Sequence, residues 1–442
     1  MLFKNWKQII NNGQTPELKK IRGDIIDILS SALDAVDPYK VVKSRCNMGK
    51  IILDDREIDI SNFDNVYLLG FGKASVGMTQ AVCDFINIKR GIVVTNDPDK
   101  FVHNNSISTY VGGHPIPNQN SINSTDKILE IIRECKKNDL LIVLISGGGS
   151  SLLCKPKINL EDLKQTTELL LKSGADINEI NTVRKHLSFV KGGQLVRNAK
   201  CMVVSFIISD IVNDPIEFIA SGPTYPDSTT YIDSKNVLYK YLLWKKIPKN
   251  VRRVIRNGIS GIVPETPKKD DPIFNNVYNF IIANNKIACI AAEIKAKEIG
   301  YKPIITTTSL TGEAKEVGKY LIEKISKTND RSVYISGGET TVTVKGHGKG
   351  GRNQEMILGS IKSLDGRDIV FSSFATDGID GESKASGAIA DGFSLMRAYK
   401  KNLDIEEYLE DNNSFEFFNK LGDLFITGKT GINVMDIQII IS

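Results

Sequence analysis

Three glycine-rich segments of the sequence could bind anions, namely residues 69–75, 146–151 and 345–354. Glycine directly after a strand lets a ligand approach the backbone closely, and the N–H groups at the start of a following helix favour phosphate or carboxylate groups. The first segment adds Lys73, and the third adds Arg352, whose planar guanidinium suits carboxylate or phosphoryl oxygens. We therefore predict that Lys73 and Arg352 neutralise charge on a substrate or a phosphate.

The segment with three consecutive glycines is the best candidate for nucleotide phosphates. A simple turn does not require three glycines, because each one carries an entropic cost on folding. The predicted phosphate-binding residues are Ser146, Gly147, Gly148, Gly149, Ser150 and Ser151, together with Gly350 and Gly351 of the third segment. A flexible turn and a solvated surface loop are the structural alternatives.

Carboxylates also cluster in loops that follow apolar runs. Asp210 and Asp214 follow one run, and Asp377 and Asp380 follow another. Magnesium held by one or two carboxylates plus nucleotide phosphates needs such acids at the ligand-binding edge of a sheet. We predict Asp210, Asp214 and Asp377 as metal ligands, whereas turn formation and helix capping are the alternative roles.

A further candidate is the helical stretch that contains Asn181, Arg184 and Lys185. The opposite face carries apolar residues at 3.6-residue spacing, which leaves these three side chains on one polar face. Asn181 and Arg184 are predicted to bind substrate, with a solvated helix face as the alternative.

The elements that must position these residues can be read from apolar periodicity. Short apolar runs that end in Gly, Ser, Asn or Asp predict buried parallel strands at 66–69, 91–95, 140–145 and 202–208. Between them, residues 125–137 predict a helix with Ser124 as N-cap and an apolar stripe at Ile128, Ile131 and Ile132. Alternating strands and helices predict an α/β domain with a mostly parallel, Rossmann-like sheet.

A second α/β series follows a connector rich in Lys and Pro. Its strands are predicted near Phe280, Lys302, Ser332 and Ile369, and the boundary near residue 270. The prediction is therefore an N-terminal domain over 1–270 and a smaller C-terminal α/β domain over 271–442.

Composition limits the functional class. The 442 residues carry a formal charge of +5, but the basic residues are interspersed with acids, which argues against nucleic-acid binding. Six scattered cysteines show no zinc-ligand spacing, and the sequence has neither a secretory signal nor an apolar run of membrane-spanning length. We expect a cytoplasmic protein that acts on small molecules and has no membrane partner.

Several motifs, in order, resemble the glycerate 2-kinase family. In the N-terminal part they are Gly-Phe-Gly-Lys-Ala-Ser (70–75), Gly-His-Pro-Ile-Pro-Asn (113–118), Ser-Gly-Gly-Gly-Ser-Ser (146–151), Ile-Asn-Thr-Val-Arg-Lys-His-Leu-Ser (180–188) and Ala-Ser-Gly-Pro-Thr (220–224). The C-terminal part resembles the MOFRL domain of that family through motifs at 336–344, 350–355, 375–381 and 427–436.

The resemblance implies an ATP-dependent kinase that phosphorylates D-glycerate, usually at carbon 2, without a P-loop. It also implies two α/β domains with the active site in the cleft between them, and it matches Lys73 and Arg352 to the family's proposed active-site lysine and arginine. Mg²⁺ or another divalent metal would accompany ATP, and the protein would be a monomer or a homodimer.

Two other classes remain open from the sequence. A nicotinamide-dependent hydroxypyruvate reductase would use Gly70 and Gly72 as a dinucleotide turn, although Ser75 replaces the third glycine and Lys73 occupies the turn. A noncatalytic anion-binding module would use the glycine loops alone. The paired carboxylates argue against this module, because acids beside an anion site are unfavourable unless a metal or a proton transfer uses them.

Overall fold

The computed structural model describes residues 2–47, 49–53, 56–325 and 331–442. The chain forms two compact units. The central unit is Pro38–Ile282, and the terminal unit combines Met1–Asp37 with Ala283–Ser442. None of the helices in these described ranges combines the length and the apolar character that a bilayer span requires.

The strands of the described residues, in chain order, are β1 (Cys46–Asn47), β2 (Lys50–Ile52), β3 (Glu57–Asp59), β4 (Val66–Phe71), β5 (Arg90–Thr95), β6 (Ile107–Val111), β7 (Leu140–Ile145), β8 (Met202–Ile208), β9 (Val277–Ala283), β10 (Lys302–Leu310), β11 (Ser332–Gly338), β12 (Val370–Ala375), β13 (Gly387–Asp391), β14 (Leu424–Phe425) and β15 (Asp436–Ile441). The helices are α1 (Trp6–Asn11), α2 (Pro16–Asp34), α3 (Pro38–Lys43), α4 (Ser75–Phe85), α5 (Gln119–Glu134), α6 (Gly149–Leu152), α7 (Leu160–Lys172), α8 (Ile177–His186), α9 (Tyr231–Lys240), α10 (Lys249–Ile259), α11 (Asn285–Glu298), α12 (Ala314–Lys324), α13 (Arg352–Leu364), α14 (Ser394–Lys400), α15 (Ile405–Glu410) and α16 (Ser414–Leu421).

A six-stranded sheet in the order β6-β5-β4-β7-β8-β9 forms the core of the central unit. Every pair from β6 to β8 is parallel. Strands β4 and β7 are buried along their whole length, which explains their continuous apolar sequence. The predicted parallel, Rossmann-like sheet and its four strands are confirmed.

The strand order of this sheet reverses between β4 and β7. The chain proceeds outward from β4 through β5 to β6, and then returns to the other side of β4 to begin β7, β8 and β9. In open α/β sheets, ligands bind outside the carboxyl ends of the strands at such a switch point. The loops that leave β4 and β7 are therefore the expected ligand-binding loops.

Helix α5 begins earlier than its apolar pattern predicts. Its N-cap is Asn118, whose side chain accepts a hydrogen bond from the Ser121 N–H at 3.0 Å, while the Ser121 hydroxyl accepts one from the Asn118 N–H. The prediction of Ser124 as N-cap is wrong, because Ser124 lies inside the helix and its hydroxyl donates to the Asn120 carbonyl. The polar first turns hide the start, whereas the stripe of Ile128, Ile131 and Ile132 is buried as predicted.

The terminal unit contains a mixed sheet in the order β10-β11-β15-β12-β13-β14. Strands β10 and β11 pair in parallel, and the remaining pairs are antiparallel. Helix α13 contributes five apolar residues to the buried core of this unit (Met356, Ile357, Leu358, Ile361 and Leu364). A second α/β domain is therefore present in the C-terminal part.

The compact units differ from the predicted division into 1–270 and 271–442. Residues 1–37 fold with the C-terminal part, and the strand near Phe280 is β9 of the first sheet rather than the start of the second series. Arg22 of α2 is fully buried, and it forms ion pairs with Asp391 at 2.6 Å and Asp423 at 2.8 Å. Periodicity identifies such elements, but it does not show which sheet they join.

Candidate functional site

The two glycine loops of the central unit contact each other at the switch point. The Lys73 N–H donates to the Gly147 carbonyl at 2.9 Å, and the Ala74 N–H donates to the Ser146 hydroxyl at 3.1 Å. Gly72 has φ +128°, and a Cβ at this position would overlap the hydroxyl and carbonyl of Ser146. Glycine is thus required at Gly72 both by backbone conformation and by close packing.

Lys73 lies beside an imidazole that sequence analysis did not select. Gly148 adopts φ +82°, and a Cβ there would contact the His114 ring and the Cγ of Lys73. Burial, together with the positive charge of Lys73, lowers the pKa of His114. Both effects favour the neutral form of His114, whose position within the motif at 113–118 was the available signal.

A chain of hydrogen bonds connects the Ser146–Ser151 loop to helix α8. The hydroxyls of Ser150 and Ser221 are 2.6 Å apart, and the Ser221 hydroxyl donates to the Asn181 side-chain oxygen at 3.0 Å. Ala220 and Ser221 have φ of +49° and +62°, a strained conformation that is frequent at ligand sites. Asn181, which is predicted to bind substrate, is buried and is connected to the predicted phosphate-binding loop through Ser221.

Two cations lie beneath the same loop. Lys191 donates to the Ser150 carbonyl at 2.5 Å, and Arg184 reaches the same oxygen at 3.4 Å. Among the described residues, neither cation forms an ion pair with a carboxylate; burial and the nearby Arg184 lower the pKa of Lys191 to about 7. The loop therefore has a positive potential beneath it, which favours an anionic ligand.

Lys191 was missed by sequence analysis, and Lys185 has a different environment from the one predicted. Lys191 directly precedes Gly192 and Gly193, and a lysine beside a glycine pair was the available signal. Lys185 is fully buried; it pairs with Asp227 at 3.2 Å and lies over the Phe218 ring. Lys185 therefore belongs to the core of the unit rather than to a ligand-facing surface.

The predicted metal ligands of the central unit lie at the same edge of the sheet. Ile145 pairs with Ile207, so the loop after β8 that carries Asp210 and Asp214 starts beside the Ser146–Ser151 loop. In the described part of the chain, no group of three or more His, Cys, Asp or Glu residues could hold a metal. A magnesium ion that arrives with nucleotide phosphates needs only one or two protein carboxylates, so the role of Asp210 and Asp214 as its ligands remains a prediction.

In the terminal unit, Arg352 is the first residue of α13 and is held by two carboxylates. Its Nε and one terminal nitrogen donate to Asp436 at 2.5 and 3.0 Å, and the other terminal nitrogen donates to Glu339 at 2.6 Å. Burial raises the pKa of Asp436 to about 7, although Arg352 opposes this shift. Arg352 was predicted from the sequence, but its partners Glu339, 13 residues earlier, and Asp436, 84 residues later, were not.

Asp380 serves as a helix cap. Its carboxylate accepts hydrogen bonds from the backbone and side-chain nitrogens of Asn353 and Gln354, at the start of α13. Asp377 closes a turn by accepting from the Ile379 N–H at 3.0 Å. The alternative role of helix capping thus applies to Asp380, and the metal-binding role of Asp377 remains a prediction.

The third glycine loop is tightly packed within its own unit. Backbone N–H groups of 345–349 donate to Asp411, Asn412 and Asn413. A Cβ at Gly350 would overlap the Ser414 hydroxyl, and one at Gly351 would overlap Asp380. These packing requirements explain both glycines, and their contact with a nucleotide remains a prediction.

Comparison with known proteins places the chain in a family. A model described as a domain of unknown function (DUF4147) matches residues 24–256, and the MOFRL family model matches residues 332–436. A Pyrococcus horikoshii protein named glycerate 2-kinase is 42% identical over 429 residues, which cover 94% of this chain and 96% of that protein. The chain belongs to the MOFRL-domain glycerate kinase family.

A solved structure of the same family supports the fold. The glycerate kinase from Thermotoga maritima has a TM-score of 0.85 and 37% identity, covering 96% of this chain and 99% of that one. A relative from Agrobacterium vitis is 36% identical over 388 residues, 85% of this chain and 86% of its own, and its name gives hydroxypyruvate reductase only as a provisional assignment. The glycerate kinase family therefore includes a relative whose name indicates the second enzymatic class considered above.

Proposed function

We propose that this chain transfers the γ-phosphoryl group of ATP to the 2-hydroxyl of D-glycerate, which gives 2-phosphoglycerate and ADP. The observation that carries this proposal is the contact of two glycine-rich loops at the switch point of a parallel sheet, with Lys73, Arg184 and Lys191 around them. Membership in the glycerate kinase family and the name of the 42% identical relative support the same reaction.

Phosphoryl transfer requires positioning and charge neutralisation more than covalent catalysis by the protein. The Ser146–Ser151 loop would bind the nucleotide phosphates through its backbone N–H groups. Arg184 and Lys191 hold this loop through the Ser150 carbonyl and add positive potential beneath it. Lys73 would neutralise charge on the transferred group or on the glycerate carboxylate.

Asp210 and Asp214 are the proposed holders of Mg²⁺ in the central unit, and Asp377 is the proposed holder in the terminal unit. The ion would supply neutralisation of the phosphate charge when bound. Asn213 and Asp214 adopt φ of +64° and +53°, so the second carboxylate is presented by a strained turn. This strain is consistent with a functional loop rather than an ordinary turn.

Arg352 is proposed to bind a carboxylate or phosphoryl oxygen with the N–H groups that Asp436 and Glu339 leave unused. A guanidinium has five N–H donors, and three of its nitrogens already donate to these carboxylates. The Arg352 side chain is 31% exposed, which allows contact with a ligand. Asp436 and Glu339 would then position Arg352 rather than contact the reacting atoms.

The deciding experiment is NMR identification of the product after incubation of the protein with D-glycerate, ATP and magnesium. A 2-phosphoglycerate signal is the expected result. A 3-phosphoglycerate signal would retain the kinase but refute the proposed position. No phosphorylated product, combined with consumption of hydroxypyruvate in the presence of NADH or NADPH, would replace the kinase with the reductase.

A further inference from the structure

A second cationic cavity lies in the central unit, separate from the glycine loops. Its volume is about 380 Å³, and its lining extends from Asp126 in the middle of α5 to Arg133 near the C-terminal end of that helix. Arg197 and Asn198, which shortly precede β8, complete this end. The cavity therefore extends toward the amino edge of the sheet, whereas the glycine loops lie at the carboxyl edge, and none of the lining residues belongs to a glycine loop.

Four of the five charged residues that line this cavity are cations. Arg133, Lys155, Lys157 and Arg197 contribute to it, and Asp126 is its one acidic residue. Asp126 is already paired with Lys155 at 2.6 Å. An adjoining recess shares Arg133 and Arg197 and adds Lys200. The cavity thus keeps an excess of positive charge after its own ion pair is counted.

Lys157 is the most informative of these cations. Its ammonium donates to the Tyr231 hydroxyl at 2.8 Å, and no carboxylate in the described part of the chain forms an ion pair with it. Burial, and next the charge of Arg197, lower the pKa of Lys157 to about 8. A desolvated cation beside a second cation is unfavourable by itself, and an anionic ligand would relieve this repulsion.

One wall of the cavity is aromatic and apolar. Phe189 is 52% exposed, and its ring centroid lies 5.8 Å from the Lys157 ammonium. Leu129, Ile132 and Val263 extend the apolar surface beside it. A single exposed phenylalanine is common on protein surfaces, but here the ring borders a cavity whose other side is cationic. A flat apolar group could cover the ring while an attached anion reaches the cations.

We propose that this cavity binds a small phosphorylated ligand with a flat apolar body, of the chemical class of a nucleoside monophosphate. Lys157 and Arg197 bind the phosphate, and Phe189 packs against the ring. The volume lies within the range of small-molecule pockets, about 300–1,000 Å³. Because the lining of the cavity contains no glycine-loop residue, its occupant is distinct from the phosphoryl donor and acceptor of the proposed reaction.

Isothermal titration of the full chain with AMP tests this site. AMP is expected to bind the unmodified protein, and Lys157→Met, Arg197→Met and Phe189→Ala are each expected to weaken the Kd at least tenfold. The control Lys172→Met changes an exposed lysine paired with Glu168 on α7 and is expected to leave the Kd unchanged. ADP release in the kinase assay should remain within about twofold in all four variants, which separates this inference from the proposed function.

Two further titrations use adenosine and inorganic phosphate. Both are expected to bind more weakly than AMP, because each lacks one half of the recognised ligand. The proposal is overturned if AMP does not bind, if adenosine binds as tightly as AMP, or if ATP displaces AMP while the three cavity variants bind it normally. Phe189→Ala keeps the test decisive if a lysine or arginine variant fails to fold, because the Phe189 ring is half exposed.

Discussion

Arg352 is oriented by carboxylates of its own unit before any ligand binds. Asp436 accepts hydrogen bonds from two of its nitrogens, and Glu339 accepts one from the third. The guanidinium therefore has little rotational freedom left to lose when a ligand binds. Arg352 was predicted as a site residue from its type and its glycine-rich setting, and this role remains a prediction. Its partner Asp436 was not predicted, because Asp436 lies 84 positions later and is brought close to Arg352 only by the pairing of β15 within the sheet.

The substitution Arg352→Lys tests whether the planar guanidinium, and not only its positive charge, is needed. Lysine keeps a positive charge beside the buried Asp436 but loses the bidentate geometry, so kcat/KM for ADP release should fall on the order of 10²-fold. Thermal unfolding should change little, since Asp436 keeps a cationic partner. Arg367→Lys, which alters an arginine that donates to the Ile322 and Ile325 carbonyls, is the matched control. Near-normal turnover of the Arg352 variant would refute its assigned role.

Lys73→Met is expected to change both catalysis and the titration of a neighbouring histidine. Burial is the main cause of the low pKa of His114, and the charge of Lys73 is the second. Removing that charge should raise the pKa of His114 towards its usual value, while burial still keeps it below that value. The proton NMR titration of the His114 ring measures this shift, with His114→Gln used to assign the signal.

The same variant should lose activity if Lys73 neutralises phosphate or carboxylate charge. Lys89→Met is the control, because Lys89 is an exposed lysine that lies over the Tyr67 ring. A Lys73 variant with unchanged His114 titration would show that the two side chains do not interact. Unchanged turnover would remove Lys73 from the proposed site.

At the scale of elements, apolar runs predicted the strands reliably, whereas the ends of elements that consist of polar residues were predicted poorly. Strands β4, β5, β7 and β8 are buried along nearly their whole length, so their sequences are mostly apolar. The start of α5 was not predicted correctly, because its first turns are polar and its cap is a reciprocal pair of hydrogen bonds between Asn118 and Ser121. Glycine loops were recognisable from composition, whereas the motif at 220–224 did not show that Ser221 connects the Ser146–Ser151 loop to Asn181.

Gly72→Ala tests whether the contact between the two glycine loops matters for nucleotide binding. The new methyl group would overlap Ser146 and displace the predicted phosphate loop. Gly174→Ala is a matched control, because Gly174 also has positive φ (+77°) but has nothing within 4 Å of the added carbon. The control should cost only about 1–2 kcal/mol of folding free energy from its left-handed backbone.

The Gly72→Ala variant should lose more folding free energy than its Gly174→Ala control, and its Kd for ATP with magnesium should rise at least tenfold. Calorimetric titration measures the affinity, and thermal unfolding checks that both variants remain folded. Equal ATP affinities for the two variants would show that the Ser146–Ser151 loop does not depend on Gly72.

At the scale of the whole molecule, the N-terminal segment is the feature that sequence analysis placed differently. Residues 1–37 contain an amphipathic helix, α2, whose apolar face could cover any exposed core. The structure places this helix in the terminal unit, where Arg22 contacts Asp391 and Asp423. Local patterns describe a helix and its buried face, but the choice of partner depends on contacts with residues almost 400 positions later.

Arg22→Met tests how strongly this segment stabilises the terminal unit. The variant leaves Asp391 without its cationic partner in a fully buried site, so the unit should lose about 3–5 kcal/mol of unfolding free energy. The double variant Arg22→Met, Asp391→Asn should recover part of this loss, because it removes the uncompensated charge. Hydrogen exchange of the β12–β13 amides measures the change within this unit, and protection equal to that of the unmodified protein would contradict it.

The same ion pairs predict an acid dependence of stability. Burial alone would raise the pKa of Asp423, but Arg22 and Arg397 lower it below its usual value. A carboxylate with a lowered pKa in the folded state contributes stability that is complete above its unfolded pKa, about 3.9, and is lost as pH falls towards the folded value. Exchange protection of the unmodified protein should therefore decline below about pH 4, and Arg22→Met should show a shallower decline because Asp423 then keeps only Arg397 as its cationic partner.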